Sequence, residues 1–150
     1  MATRLTQAEA DMLIDMLKKF VEKRVLEFPS TKGKLSFNVI GERRADEFVV
    51  SIDRKGINAL GCTYQGRLKS NNIILLRLDI NPTAVHTNPS SGERIHGSHL
   101  HIYTEEHDMR EAIPFDVKEK NIYDLCFVFF ERFNIIKPPT LSYQYSFGKG

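Results

Sequence analysis

The chain has no tryptophan and only two cysteines, and neither its six prolines nor its nine glycines amount to enrichment. Cys62 and Cys126 lie far apart and outside any CxxC pair. That excludes a disulfide scaffold and leaves two reduced, partly buried thiols as the expectation. No apolar run approaches the roughly 20 residues that a membrane helix needs. The longest, such as Ile73 to Leu76 and Leu125 to Phe130, suit buried elements instead. The N-terminal segment has no apolar core of a signal peptide, so a cytoplasmic protein without membrane association is expected. Charge of one sign is also lacking: 21 basic against 19 acidic residues leave a formal +2. Nucleic-acid binding therefore does not follow from charge, although it stays possible. Gly-rich nucleotide loops, GxSxG, HExxH and CxxC pairs are all missing, which removes the commonest sequence-coded chemistries.

What is present is an ordinary globular composition, 41% hydrophobic and 27% charged over 150 residues. That length suits a single domain, 1–150, able to bury a core without staples. Thr6-Gln-Ala-Glu9 forms a capping box. Leu13, Met16, Leu17, Phe20 and Val21 follow at helical spacing, with Lys18, Lys19, Glu22 and Lys23 on the other side. The pattern predicts a helix to about Val25 with its lysines in solvent. From Leu35 the period becomes two. Strands are expected at Leu35–Val39, Phe48–Asp53, Ile57–Leu68 and Ile73–Ile80, joined by turns at Gly41–Asp46, Arg54–Gly56 and Asn71–Asn72. Strand alternation resumes at His99–Thr104. Asn121 caps a second helix with an apolar stripe of Ile122, Leu125, Cys126, Phe129, Phe130 and Phe133, which Pro138-Pro139 is expected to end. Leu141–Phe147 suggests an edge strand, and the last three residues are expected to fray. The predicted architecture is α+β: an antiparallel sheet of about five strands flanked by an N-terminal and a C-terminal helix.

The stretch Asn81 to Gly97, with two prolines and two glycines, breaks this regularity. Loops that long in a compact domain tend to be functional or disordered. All five histidines, His86, His96, His99, His101 and His107, fall here or just beyond. His99 and His101 sit two apart on a strand, so their side chains leave one face roughly 7 Å apart at the backbone. Imidazoles so placed can share a metal ion, zinc in the first place. His96, His86 and Cys62 are candidate further ligands, and Asp79 is a substitute. Two alternatives stay open. The strand histidines can be satisfied by hydrogen bonds alone, or they can serve as metal-free general base and acid in RNA phosphodiester cleavage. In that last reading Arg67, Arg77 or Arg94 would stabilise phosphate charge and Tyr64 or Tyr103 would orient the substrate. Arg54 and Lys55, at the turn Asp53-Arg54-Lys55-Gly56, are either phosphate contacts or a solvated hairpin tip. Arg77 and Asp79 put charge on an apolar strand and need either cross-strand partners or a site role.

Five ordered motifs, Arg54-Lys55-Gly56-Ile57, Cys62-Thr63-Tyr64-Gln65, Leu76-Arg77-Leu78-Asp79-Ile80, His86-Thr87-Asn88-Pro89 and His99-Leu100-His101-Ile102-Tyr103, carry a resemblance from about Leu5 to Phe133. Across that span the chain resembles the bacterial and phage domain-of-unknown-function family 6978. The resemblance implies no reaction. It does imply a mobile-element context, in which small proteins are often toxins, antitoxins or inhibitors of host defence. The expectation is a zinc-binding protein of phage or mobile-element origin that binds a protein or nucleoprotein partner, for example a CRISPR-type nuclease. The competing expectation is a small ribonuclease or phosphodiesterase using His99 and His101. The sequence does not specify an oligomeric state.

Overall fold

The computed structural model describes residues 4–43, 46–55, 61–118 and 120–143. In chain order the elements are α1 (Gln7–Asp15), β1 (Lys18–Lys19), β2 (Leu26–Glu27), β3 (Gly33–Ile40), β4 (Glu47–Arg54), β5 (Cys62–Leu68), β6 (Ile74–Ile80), β7 (Val85–Thr87), β8 (Arg94–His96), β9 (His99–Ile102), β10 (Ala112–Pro114), α2 (Ile122–Arg132), β11 (Ile135–Lys137) and β12 (Leu141–Ser142). The fold is α+β, but the sheet differs from the expected five antiparallel strands. Eight strands run in the order β10-β9-β6-β5-β4-β3-β1-β11. All neighbours are antiparallel except β1 and β11, which are parallel. The additional members, β1, β10 and β11, are too short to show a period in sequence. β12 pairs with β2, and β7 with β8, as separate two-stranded units. The expected starts and ends of strands at Ile57 and Phe147, and part of the Gly41–Asp46 turn, lie outside the described residues.

The capping box forms as read, with Glu9 N–H on Thr6 Oγ1 and Thr6 N–H on Glu9 Oε1. The helix, however, stops at Asp15 and does not run to Val25. Lys18 explains the stop. It is not in solvent but fully buried, and its ammonium donates to the carbonyls of Ile14, Met16 and Phe133 at 2.8–2.9 Å. It thereby caps the C-terminal end of α1 with a side chain from beyond the helix. Val21, the last residue of the helical pattern, and Val25, the expected helix end, are left 56% and 61% exposed. At the other end of the chain α2 matches its expected cap and stripe. Asn121 accepts from Asp124 N–H, and Ile122, Leu125, Cys126, Phe129 and Phe130 are buried. It ends ahead of Pro138-Pro139, because Asn134 takes a left-handed conformation (φ 62°) and Ile135–Lys137 pairs with β1.

One face of the sheet meets α2 through aromatic contacts. Phe130 is edge-on to Phe37, Phe133 is edge-on to Phe48, and Phe129 stacks on Tyr64. Strand alternation sends the intervening residues to the opposite face. There the registers align two polar rows across five strands. One row is Lys34, Asp53, Thr63, Asp79, His99; the other is Ser36, Ser51, Gln65, Arg77, His101. Both rows end at the paired histidines. No helix among the described residues is long and apolar enough to cross a membrane.

Candidate metal centre

His99 and His101 leave β9 on the polar face, as their spacing requires, and are buried. The third member arrives from the expected long loop, which folds into the β7–β8 hairpin. In that hairpin His86 stands opposite Ile95 and Val85 opposite His96. Because opposed residues share a face, His86 and Ile95 turn inward, while Val85 and His96 turn to solvent. The His86 ring stacks on His99 at 5.2 Å and stands edge-on to His101 at 4.9 Å; His99 and His101 are 4.8 Å apart, centre to centre. One ring nitrogen from each of the three lies within 4.8 Å of the others.

Hydrogen bonds fix which nitrogen carries the proton. His99 Nδ1 faces the Gly97 carbonyl at 2.9 Å, and His101 Nδ1 faces the Met109 carbonyl at 2.7 Å. His86 Nε2 faces two acceptors, Asn88 Oδ1 at 3.0 Å and the Arg110 carbonyl at 2.9 Å. Each of these nitrogens must be a donor, so in the neutral rings the lone pairs sit on His99 Nε2, His101 Nε2 and His86 Nδ1. This is the outer-sphere pattern that orients metal-bound imidazoles. Burial pushes the His99 pKa below its ordinary value against the opposing hydrogen bond to Gly97, and a neutral imidazole is the form that ligates.

Asp79 stands beside two of these nitrogens, those of His99 and His101. Its Oδ2 is 3.5 Å from His99 Nε2 and 3.3 Å from His101 Nε2. Neighbouring ligands of a tetrahedral zinc, bonded at about 2.0–2.1 Å, are ~3.3–3.4 Å apart. Thr63 Oγ1 donates to Asp79 Oδ1 at 3.1 Å, and an Arg77 terminal nitrogen is 3.3 Å from Oδ2. Burial raises the Asp79 pKa, but a hydrogen bond from His101, in the state in which its Nε2 carries a proton, and the charge of Arg77 outweigh it and hold the carboxyl below its ordinary value. A carboxylate facing imidazole lone pairs is repulsive unless a proton or a cation lies between them.

A family model described as "Family of unknown function (DUF6978)" matches residues 5–135. The chain belongs to this family. No curated protein and no solved structure matches it. In this DUF6978 chain the remaining candidates from the sequence are placed as follows. His96 is exposed on the outer side of the hairpin, and Arg94 is exposed on the same strand. Cys62 lies on the α2 face of β5, opposite to Asp79, and burial pushes its thiol up to about 11. Arg54 is buried and donates to the carbonyls of Pro29 and Ser30. Tyr64 is buried under α2 with its hydroxyl on the Ile122 carbonyl, and Tyr103 exchanges hydrogen bonds with the backbone of Leu5. Arg67 contacts Asn72 and Ser51 on the polar face. Lys55 pairs with Asp53 at 3.1 Å, and with Arg77 it lines a polar cleft beside Asp79.

Sequence reasoning assigned no role to Asn88. Its amide clamps Ala112 of β10, donating to the carbonyl and accepting from the N–H, both at 2.8 Å, while the same Oδ1 holds His86. The Asn-Pro step was visible in the sequence, but its partner across the fold was not.

Proposed function

We propose that this protein binds a divalent transition metal, zinc in the first place, through His86 Nδ1, His99 Nε2 and His101 Nε2, with Asp79 closing the set. The observation that supports this most directly is the tautomer pattern. Three buried or half-buried imidazoles each bind a protein acceptor through one nitrogen, one nitrogen of each lies within 4.8 Å of the others, and two of the rings stand beside a carboxylate. In the neutral rings, hydrogen bonding alone leaves the lone pairs of His99 and His101 facing the Asp79 carboxylate. Imidazole and carboxylate donors suit zinc, and cobalt or nickel by the same chemistry.

Bound there, the metal would fasten the β7–β8 hairpin to β9 of the main sheet. The outer side of that hairpin, Val85, Thr87, Arg94 and His96, is exposed. In this reading the metal supplies rigidity to a recognition edge of a protein that binds a protein or nucleoprotein partner, an inhibitor of a host defence nuclease being the concrete version. A second reading is hydrolysis of a phosphodiester. It is supported by the clefts on either side of Asp79, one lined by Arg77, Lys34 and Lys55 and the other by His99, Thr83 and Asn81. A catalytic zinc keeps an open position, whereas a structural one is closed by four protein ligands.

The test is elemental analysis of protein purified without a histidine tag. About one equivalent of zinc is expected, absent from His99→Ala/His101→Ala. Chelation should lower the melting temperature, since metal binding and folding are linked. Metal-free wild-type protein after zinc reconstitution would sink the proposal. A melting temperature unmoved by verified metal removal would refute the fastening role. Turnover of an RNA panel that requires Asp79 would favour the second reading.

A further inference from the structure

The polar face carries a cleft of about 330 Å3, lined by Lys34, Ser51, Asp53, Lys55, Thr63, Gln65, Arg77 and Asp79. That volume is at the lower end for small-molecule sites. The lining is almost wholly polar, with two hydroxyls, an amide, three cations and two carboxylates. The cations are mostly occupied: Lys55 is on Asp53, and Arg77 is on Asp79. Arg77 is incompletely satisfied, because its Nε is buried and has no hydrogen-bond partner among the described residues. Leaving such a donor unpaired is unfavourable, so the arginine gains little from its present position.

Asp79 connects this cleft to the histidines. Its carboxylate is shared between Arg77 on the cleft side and His99 and His101 on the other. A dication bound by the histidines would compete with Arg77 for Asp79 Oδ2, which the three side chains share. We propose, building on the metal-centre reading above, that this cleft binds a small phosphate ester and that metal occupancy arms it by freeing Arg77 from Asp79. Arg77 neighbours His101 across the β6–β9 register, so the freed fork stays close to the metal. Its planar donors match two phosphate oxygens, and Ser51 and Lys34 provide the remaining donors. Counting Lys34, Lys55 and Arg77 against Asp53 and Asp79, the lining is one unit positive without metal and three with it. The cleft's size and the chain's net charge of +2 suit a small ester over a long nucleic-acid strand. Coupling of this kind is reciprocal: the ester must tighten the metal by the same factor that the metal tightens the ester.

The experiment is calorimetric titration of phenyl phosphate at fixed ionic strength into metal-free and zinc-loaded protein, with zinc content measured in each sample. Zinc should tighten phenyl phosphate at least about tenfold, within the usual range of allosteric coupling. Arg77→Ala should retain zinc and lose that gain. Asp79→Asn, without metal, should bind phenyl phosphate more tightly than metal-free wild type, because the released arginine no longer needs the metal. Retained zinc with no gain, or a gain that survives Arg77→Ala, overturns the proposal while leaving the metal centre standing. Absence of zinc from wild type overturns both. Succinate bound as tightly as phenyl phosphate overturns the phosphate assignment. A hexanucleotide RNA bound more tightly than phenyl phosphate overturns the small-ester assignment in favour of a strand. Thermal melts of each variant establish that the protein compared is folded.

Discussion

Asn88 Oδ1 accepts from both Ala112 N–H and His86 Nε2, while its amide nitrogen donates back to Ala112. The clamp fixes the orientation of the amide, and the amide, together with the Arg110 carbonyl, holds His86 Nε2 as the donor nitrogen. Asn88→Ala should therefore weaken zinc roughly 10–100-fold, the usual cost of losing an outer-sphere partner, with His99 and His101 untouched. Competition against a chromophoric chelator measures this, with His96→Ala as the control expected to match wild type. Equal zinc affinity in folded Asn88→Ala would remove the positioning role. The sequence showed five histidines between positions 86 and 107 and a face shared by His99 and His101. It did not show that His86 joins them while His96 and His107 do not. That selection depends on which side of a hairpin each residue occupies and on the hydrogen bonds that the rings donate to Asn88, Gly97 and Met109.

The α2 stripe was legible residue by residue, because one face of a helix carries its own period. Its distance from the sheet was not, and Gly66 sets it. A Cβ at Gly66 would lie 2.5 Å from Phe133 Cε2 and 2.6 Å from Cζ. Gly66→Ala should destabilise by about 1–3 kcal/mol through overpacking, despite the better strand propensity of alanine. Urea unfolding measures it. The addition of Phe133→Leu should recover part of the loss, since contacting sites couple; a stability equal to wild type in the single variant would show that the Phe133 ring yields freely. The meander β3–β6 was likewise readable from its alternation, although its polar face became a functional candidate only once register put Asp79 beside His99 and Arg77 beside His101. The overlong first helix has a different origin. Leu17, Val21 and Val25 kept a helical spacing, but the pattern carried no sign that Lys18 would be drawn inward to end the helix.

At the scale of the whole molecule, Lys18 joins the two ends of the chain. Its ammonium binds Ile14 and Met16 at the end of α1 and Phe133 at the end of α2, and it sits 4.0 Å from the centre of the Phe133 ring. Its own backbone N–H pairs with Asn134. Lys18→Met would leave the carbonyls of Met16 and Phe133 without this donor; Ile14 keeps Asn134 Nδ2. The expected cost is on the order of 2–6 kcal/mol near pH 7, from about 1–3 kcal/mol for each of the two stranded carbonyls. Burial also lowers the Lys18 pKa from 10.5 to about 7, with the charge of Asp15 pulling the other way. Between those values the unfolded chain holds a proton that the folded chain has released, so the lysine contribution to stability rises with pH there and is constant below the lower value. The buried thiols act oppositely: burial raises both Cys62 and Cys126, so their contribution falls as pH passes through the free-thiol range. Comparing wild type with Lys18→Met at each pH cancels the thiols and isolates the lysine. The stability deficit of the variant should be level from pH 5 to about 7 and then widen toward pH 10, at up to about 1.4 kcal/mol per unit for one proton. A deficit independent of pH would mean that the three carbonyls and the aromatic face keep Lys18 charged throughout. Lys18 would then be a permanently buried ammonium at the junction of the two helices.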